Sequence, residues 1–117
     1  MATQSDISGI VRGDTLTINI SAQNDNLTPI DLTGYTIFFT LRKYYDTTDT
    51  TDTRATIEKT WVSAGSSTSI VITATEMKIE PTIYKYDVQY KDLGNNIVTI
   101  AYGDFEIINE ATNRATI

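Results

Sequence analysis

The sequence predicts an all-β fold, a sandwich or small barrel of about seven short strands. Three observations carry this. Thr and Ile supply 37 of the 117 residues, and both branch at Cβ, which stiffens the side chain and suits a pleated surface. Apolar and polar residues alternate over several runs, the period of a strand with one dry face. Turn residues separate those runs at short intervals, the spacing of a sandwich or barrel.

The first strand is expected at 7–11. In 14–21, Leu16, Ile18 and Ile20 fall on one face, and Thr15, Thr17 and Asn19 on the other. The turn Asp31–Leu32–Thr33–Gly34 then feeds a strand at 35–43, with Gly34 supplying the backbone freedom a tight turn requires. Tyr35, Ile37, Phe39 and Leu41 share one face of that strand. Phe38 stands opposite, so cover on both sides is expected. Residues 55–62 give a weaker strand carrying the single Trp61, and "AGSS" at 64–67 turns the chain into a strand at 68–73.

At 75–78, Thr75, Glu76, Met77 and Lys78 suit one helical turn, which Pro81 would end, because the residue before a proline avoids the helical region. Strands at 83–91 and 97–108 follow as a hairpin. Tyr84, Tyr86, Val88 and Tyr90 alternate with Lys85, Asp87 and Gln89, and the loop 92–96 holds the Gly and Asn that tolerate positive φ. Gly103 is expected to mark a bulge or kink in the return strand.

The helical turn falls where a sandwich crosses from one sheet to the other, and Tyr84 comes just after it. That is the place of a tyrosine corner, whose hydroxyl bonds back to the crossing backbone. Tyr84 as one more core aromatic is the other reading. The chain has no cysteine to bridge the sheets, so Tyr86 would fill the space between them by packing. One domain, 1–117, is expected, with a core at about 10–108, an exposed loop at 44–54 and polar terminal arms, Met1–Ser8 and Asn109–Ile117.

Chemistry is sparse. With neither histidine nor cysteine, the chain lacks the commonest general base, the commonest zinc ligand and any thiolate site. Its net charge is −6 and its nine basic residues are scattered, so nucleic acid and anionic membrane are not expected partners. Asp46, Asp49 and Asp52 recur at every third residue between threonines. That spacing offers oxygen ligands to a hard cation, but it lacks the central Gly and terminal Glu of an EF-hand loop, and a solvated polar loop is the preferred reading. Asp87 and Asp104 lie on neighbouring strands, where a solvated outer surface explains them better than a carboxylate pair for glycoside chemistry. Tyr44 and Tyr45 adjoin a segment that offers no cover, which favours contact with a partner over capping the sandwich edge. Together with Asp46, Asp49 and Asp52 they are the expected partner-binding residues. No catalytic, cofactor or metal site is assigned.

The Gly13–Asp14 start, the turn Asp31–Gly34 before an aromatic strand, Tyr84–Asp87, and the hairpin ending in Gly103–Phe105 occur in one order over about residues 10–108. In this the chain resembles the small immunoglobulin-like domains of tailed-phage virions, and is similar to the N-terminal domain of phage baseplate upper proteins. The resemblance implies an immunoglobulin-like antiparallel β-sandwich without catalysis. It also implies a structural protein that docks on tail or baseplate proteins, located in the virion and made in the host cytoplasm. Capsid decoration, as a cement protein clamping the major capsid protein, is an alternative. A carbohydrate-binding module with Tyr44, Tyr45, Trp61 and Tyr102 as stacking platforms is another. A homo-oligomer is expected, a trimer matching a tail axis or a capsid threefold position.

Overall fold

Alternation becomes layering once the strands pair. The computed structural model describes residues 3–24, 26–43 and 57–109. Through them run β1 (Thr3–Gln4), β2 (Ile7–Val11), β3 (Leu16–Ile20), β4 (Ala22–Gln23), β5 (Pro29–Ile30), β6 (Thr36–Lys43), β7 (Ile57–Val62), β8 (Thr68–Ile72), β9 (Ile83–Lys91) and β10 (Ile97–Ile108). The seven expected strands are all present, with bounds shifted by two residues at most. The three additional strands have two residues each, too short to show a period.

The larger sheet runs β10-β9-β6-β7, antiparallel at every step, with β1 and β2 along the outer edge of β10. The smaller sheet is β3-β8, and β4 and β5 form a separate hairpin. This is an all-β immunoglobulin-like sandwich. It is not wholly antiparallel, because β1 and β2 run parallel to β10. No hairpin joins them to β10, so nothing imposes the opposite direction.

The core lies between the sheets. Ile37, Phe39 and Leu41 of β6 meet Tyr84, Tyr86, Val88 and Tyr90 of β9 and Phe105 and Ile107 of β10, facing Ile20, Ile70 and Ile72 of the small sheet. Each large buried side chain contributes roughly 1.5–3 kcal/mol relative to exposure. Tyr86 occupies the centre. It stacks on Phe39 with ring centroids 6.1 Å apart and meets Phe105 edge-on at 6.1 Å, both favoured geometries for aromatic pairs.

The crossing between β8 and β9 contains no helix. Met77 N–H bonds the Thr73 carbonyl at 3.0 Å and Lys78 N–H bonds that of Thr75 at 3.2 Å, giving turns over 74–77. The turn is closed by a capping box: Glu76 N–H donates to Thr73 Oγ1 (3.2 Å) and Thr73 N–H to Glu76 Oε1 (2.9 Å). Met77, fully buried, plugs this end of the core. The Tyr84 hydroxyl donates to the Glu80 carbonyl at 2.6 Å, the bond by which a tyrosine corner fastens a crossing.

Two expectations about the edge of the sheet need correction. Gly103 does not mark the bulge of β10. It pairs in register with Tyr86, and the residue left unpaired against β9 is Ile100, between Thr99 and Ala101. Gly103 instead leaves space for the chain between β1 and β2. A Cβ there would stand 2.8 Å from the Ser5 carbonyl oxygen and 2.7 Å from Asp6 Oδ1. The second correction concerns Met1–Ser8 as an arm. From Thr3 onward it is a strap on the chain's own β10. Ser5 N–H bonds Tyr102 O at 2.8 Å, Asp104 N–H bonds Asp6 Oδ1 at 3.0 Å, and the Tyr86 hydroxyl donates to the Ser5 carbonyl. Asp6 thereby supplies an acceptor where the strap leaves the regular ladder.

Candidate docking surfaces

The outer face of the larger sheet is built by the off-phase residues of four strands. Cross-strand pairing sets them in rows: Val62, Thr36, Lys91, Ile97; then Thr60, Phe38, Gln89, Thr99; then Glu58, Thr40, Asp87, Tyr102; then Arg42, Lys85, Asp104. The expected cover over Phe38 is not found among the described residues. Its ring sits half-buried between β7 and β9 on the open face. Tyr102 projects from the same face, 43% exposed. Gln89 Nε2 donates to Thr99 Oγ1 at 3.1 Å, and Lys85 pairs with Asp104. Three cations (Arg42, Lys85, Lys91) and three anions (Glu58, Asp87, Asp104) balance in these rows, whereas the chain as a whole carries −6.

Asp87 departs from the solvated surface expected for it. It is half-buried, and burial pushes its carboxyl above the ordinary range, opposed by the Arg42 guanidinium. A carboxyl whose folded pKa is raised favours the folded state when protonated. That contribution is present below the unfolded value and is lost as pH rises through the folded one. The ionised Asp87 thus weakens the fold at neutral pH. Asp87→Asn is expected to raise Tm at pH 7, with the gain disappearing as pH falls below the carboxylate range. A thermal scan at pH 7 in which the variant melts at or below the parent temperature contradicts this.

A second surface lies at the end of the sandwich that carries the loops 24–28, 31–35, 63–67 and 92–96. Two of these loops repeat one design. Asn24 and Asp92 each accept from two backbone N–H groups through Oδ1: Asn26 (2.9 Å) and Thr28 (3.0 Å) in one case, Gly94 and Asn96 (both 2.9 Å) in the other. Positive φ falls at the fourth position in both, on Leu27 (62°) and Asn95 (65°) rather than on Gly94. In the third loop Gly34 takes φ 82° and donates to Ser63 O at 2.9 Å, while Asp31 Oδ1 accepts from Thr33 N–H at 3.0 Å. The Thr33 hydroxyl, donating to Asp31 Oδ1 at 2.6 Å, and the Thr33 N–H hold the Asp31 carboxyl below the usual range, and the Asn96 N–H does the same for Asp92. Among the described residues the four most exposed large apolar side chains lie at this end: Leu93 (78%), Leu27 (73%), Val62 (62%) and Ile97 (60%).

Of the partner-binding residues expected from sequence, Tyr44, Tyr45, Asp46, Asp49 and Asp52 lie outside the described residues. Trp61 does not join Tyr102 as a stacking platform. It pairs with Ile37 on the inner face, packs against the core and donates from Nε1 to Thr68 Oγ1 at 2.9 Å. Asp87 and Asp104 are diagonal neighbours, but Asp104 is tied to Lys85. Among the described residues no group of three or more acidic side chains could hold a metal ion, and no helix is long and apolar enough to cross a membrane. No protein-family model matches the chain, and a search of curated proteins finds no match. Sequence reasoning missed the exposed loop-end leucines and the half-burial of Asp87. Phe38 did give a signal, as the one large apolar residue out of phase in its strand.

Proposed function

We propose that this chain is a non-enzymatic structural protein of a tailed-phage virion, an immunoglobulin-like module that docks on other virion proteins. The open outer face of the larger sheet carries this reading. It presents two aromatic residues, Phe38 on β6 and Tyr102 on β10 with β9 between them, within charge-balanced rows, and it retains in Asp87 a half-buried carboxylate that weakens the fold. Ionisable groups held against stability mark functional surfaces more often than ordinary ones. Aromatic residues at the middle of a face with paired charges around them are the anatomy of a protein interface. The ordered elements from Gly13–Asp14 to Gly103–Phe105, similar to phage baseplate upper proteins, supply the kind of partner: tail, baseplate or capsid protein. The test is cross-linking mass spectrometry on purified particles. Lys85 and Lys91 are expected to cross-link to a second virion protein, and Phe38→Arg to reduce incorporation at least tenfold. A chain absent from purified particles, or a Phe38→Arg variant incorporated at the parent level, overturns the proposal.

A further inference from the structure

We propose that β3 pairs edge to edge with the β3 of a second copy of this chain, joining the two small sheets about a twofold axis. The inference does not depend on the virion reading. Exposed strand edges invite pairing with other chains, and soluble domains blunt them with charges, prolines or bulges. The larger sheet does so at both edges. β7 carries Glu58 and Lys59. On the other side, β2 slips register against β10 between Phe105 and Ile107 and contains Gly9 at φ 70°, a bulge.

The small sheet lacks these devices. β3 pairs with β8 in five consecutive regular steps. The sequence has no charge between Asp14 and Asp25, nor between Lys59 and Glu76, and no proline in either strand. Beyond the far edge of β8 stands β7, tied to Thr68 of β8 by Trp61 Nε1 to Thr68 Oγ1 (2.9 Å) and to the turn after β8 by Lys59 to Glu76 (2.8 Å). β3 has no such cover among the described residues. Where one layer of an immunoglobulin sandwich places its first strand beside the second, β1 and β2 both follow β10 instead. The gap beside β3 opens into a cavity of about 200 Å³ whose lining mixes apolar residues, Ile7, Ile18 and Ile100 among them, with the polar Ser5, Asn19 and Ser21. Ile7, Ile18 and Ile100 are only half-buried there.

A second copy fits this edge better than an arbitrary strand because "LTINI" is self-complementary. Antiparallel pairing centred on Ile18 sets Leu16 against Ile20 on the inner side, next to the cavity. On the outer side it sets Thr17 against Asn19, hydroxyl to amide, and no like charges meet across the pair. An isologous contact of this kind closes as a dimer and does not propagate. Each copy carries −6, so the opposition is long-range and falls with salt.

Sedimentation equilibrium of the full chain tests this. A monomer–dimer equilibrium is expected whose dimer tightens from 50 to 500 mM NaCl, with slowed exchange in the dimer of the β3 amides that point away from β8, which are alternate residues of the strand. The double variant Thr17→Lys with Asn19→Lys places like charges across the pair at exposed positions and should weaken the dimer at least tenfold. Thr17→Glu with Asn19→Glu should do the same, which covers the case that the lysine pair fails to fold. A parent chain monomeric up to millimolar concentration overturns the proposal. So does a dimer unaffected by either pair, or protection in a monomer of the β3 amides that point away from β8, which would mean that the chain covers its own edge.

Discussion

Tyr86→Ala is expected to lower the free energy of unfolding by about 3–5 kcal/mol, the range for large aromatic truncations in cores. Tyr86 is 6% exposed, with Phe39 stacked on one side and Phe105 edge-on at the other. The strands carrying those rings are locked in continuous ladders, so the site cannot collapse to fill the space. Truncation also removes the hydroxyl that serves the Ser5 carbonyl. Burial, only partly offset by the Ser5 hydrogen bond, pushes the Tyr86 hydroxyl above the usual 10.0, so it remains a donor at neutral pH. The stability it contributes is present below that value and is lost as pH climbs through the raised one. Domains of this size are stable by roughly 5–15 kcal/mol, so the alanine variant should be partly unfolded near its working temperature. Tyr86→Phe keeps the packing and should lose only about 1 kcal/mol, the net worth of one hydrogen bond. Urea titrations of the two variants separate packing from hydrogen bonding. A cost for alanine as small as that for phenylalanine would show that the aromatic cluster does not hold the sheets together.

The same strands show what the residues disclose and what they withhold. β6 and β9 were legible because each buries one face against a core, which writes a period of two into eight or nine residues. Phe38 was legible for the same reason, as the large apolar residue out of phase. The helical turn was half legible: Thr73 and Glu76 make a helix-starting box, but the crossing ends before a helix can follow. The strap from Thr3 to Asp6 left no periodic trace. It is held by backbone hydrogen bonds and by the Asp6 carboxylate on Asp104 N–H, and polar residues make such bonds as well as apolar ones. The half-burial of Asp87 was hidden because it depends on Phe38, Thr40, Arg42 and Tyr102, supplied by other positions far along the chain. The bulge at Ile100 was hidden because Ile97, Val98, Thr99 and Ile100 all favour a strand.

Gly103 explains why the bulge was misplaced, and it yields the second large effect. Glycine in a strand signals either a local irregularity or the close approach of another backbone, and sequence alone does not separate the two. Here the approach is from Ser5, ninety-eight residues away. Gly103→Val is expected to cost about 3 kcal/mol, from overpacking and from the hydrogen bonds lost with it. Its Cβ would lie 2.8 Å from Ser5 O, 3.0 Å from Ser5 C and 2.7 Å from Asp6 Oδ1. Two of these are backbone atoms, which cannot turn aside as a side chain can. The strap must lift, and with it go Ser5 N–H to Tyr102 O, Asp104 N–H to Asp6 Oδ1 and the Tyr86 hydroxyl bond. Gly9 provides the control. Its φ is 70° but a Cβ there meets nothing within 4 Å, so Gly9→Ala should cost only the backbone strain, about 1–2 kcal/mol. Hydrogen exchange locates the difference. The amides of Ser5 and Asp104 should exchange fast in Gly103→Val and keep their protection in Gly9→Ala. Equal costs for the two variants, or undisturbed Ser5 and Asp104 amides in Gly103→Val, would mean that the strap does not rest on the glycine.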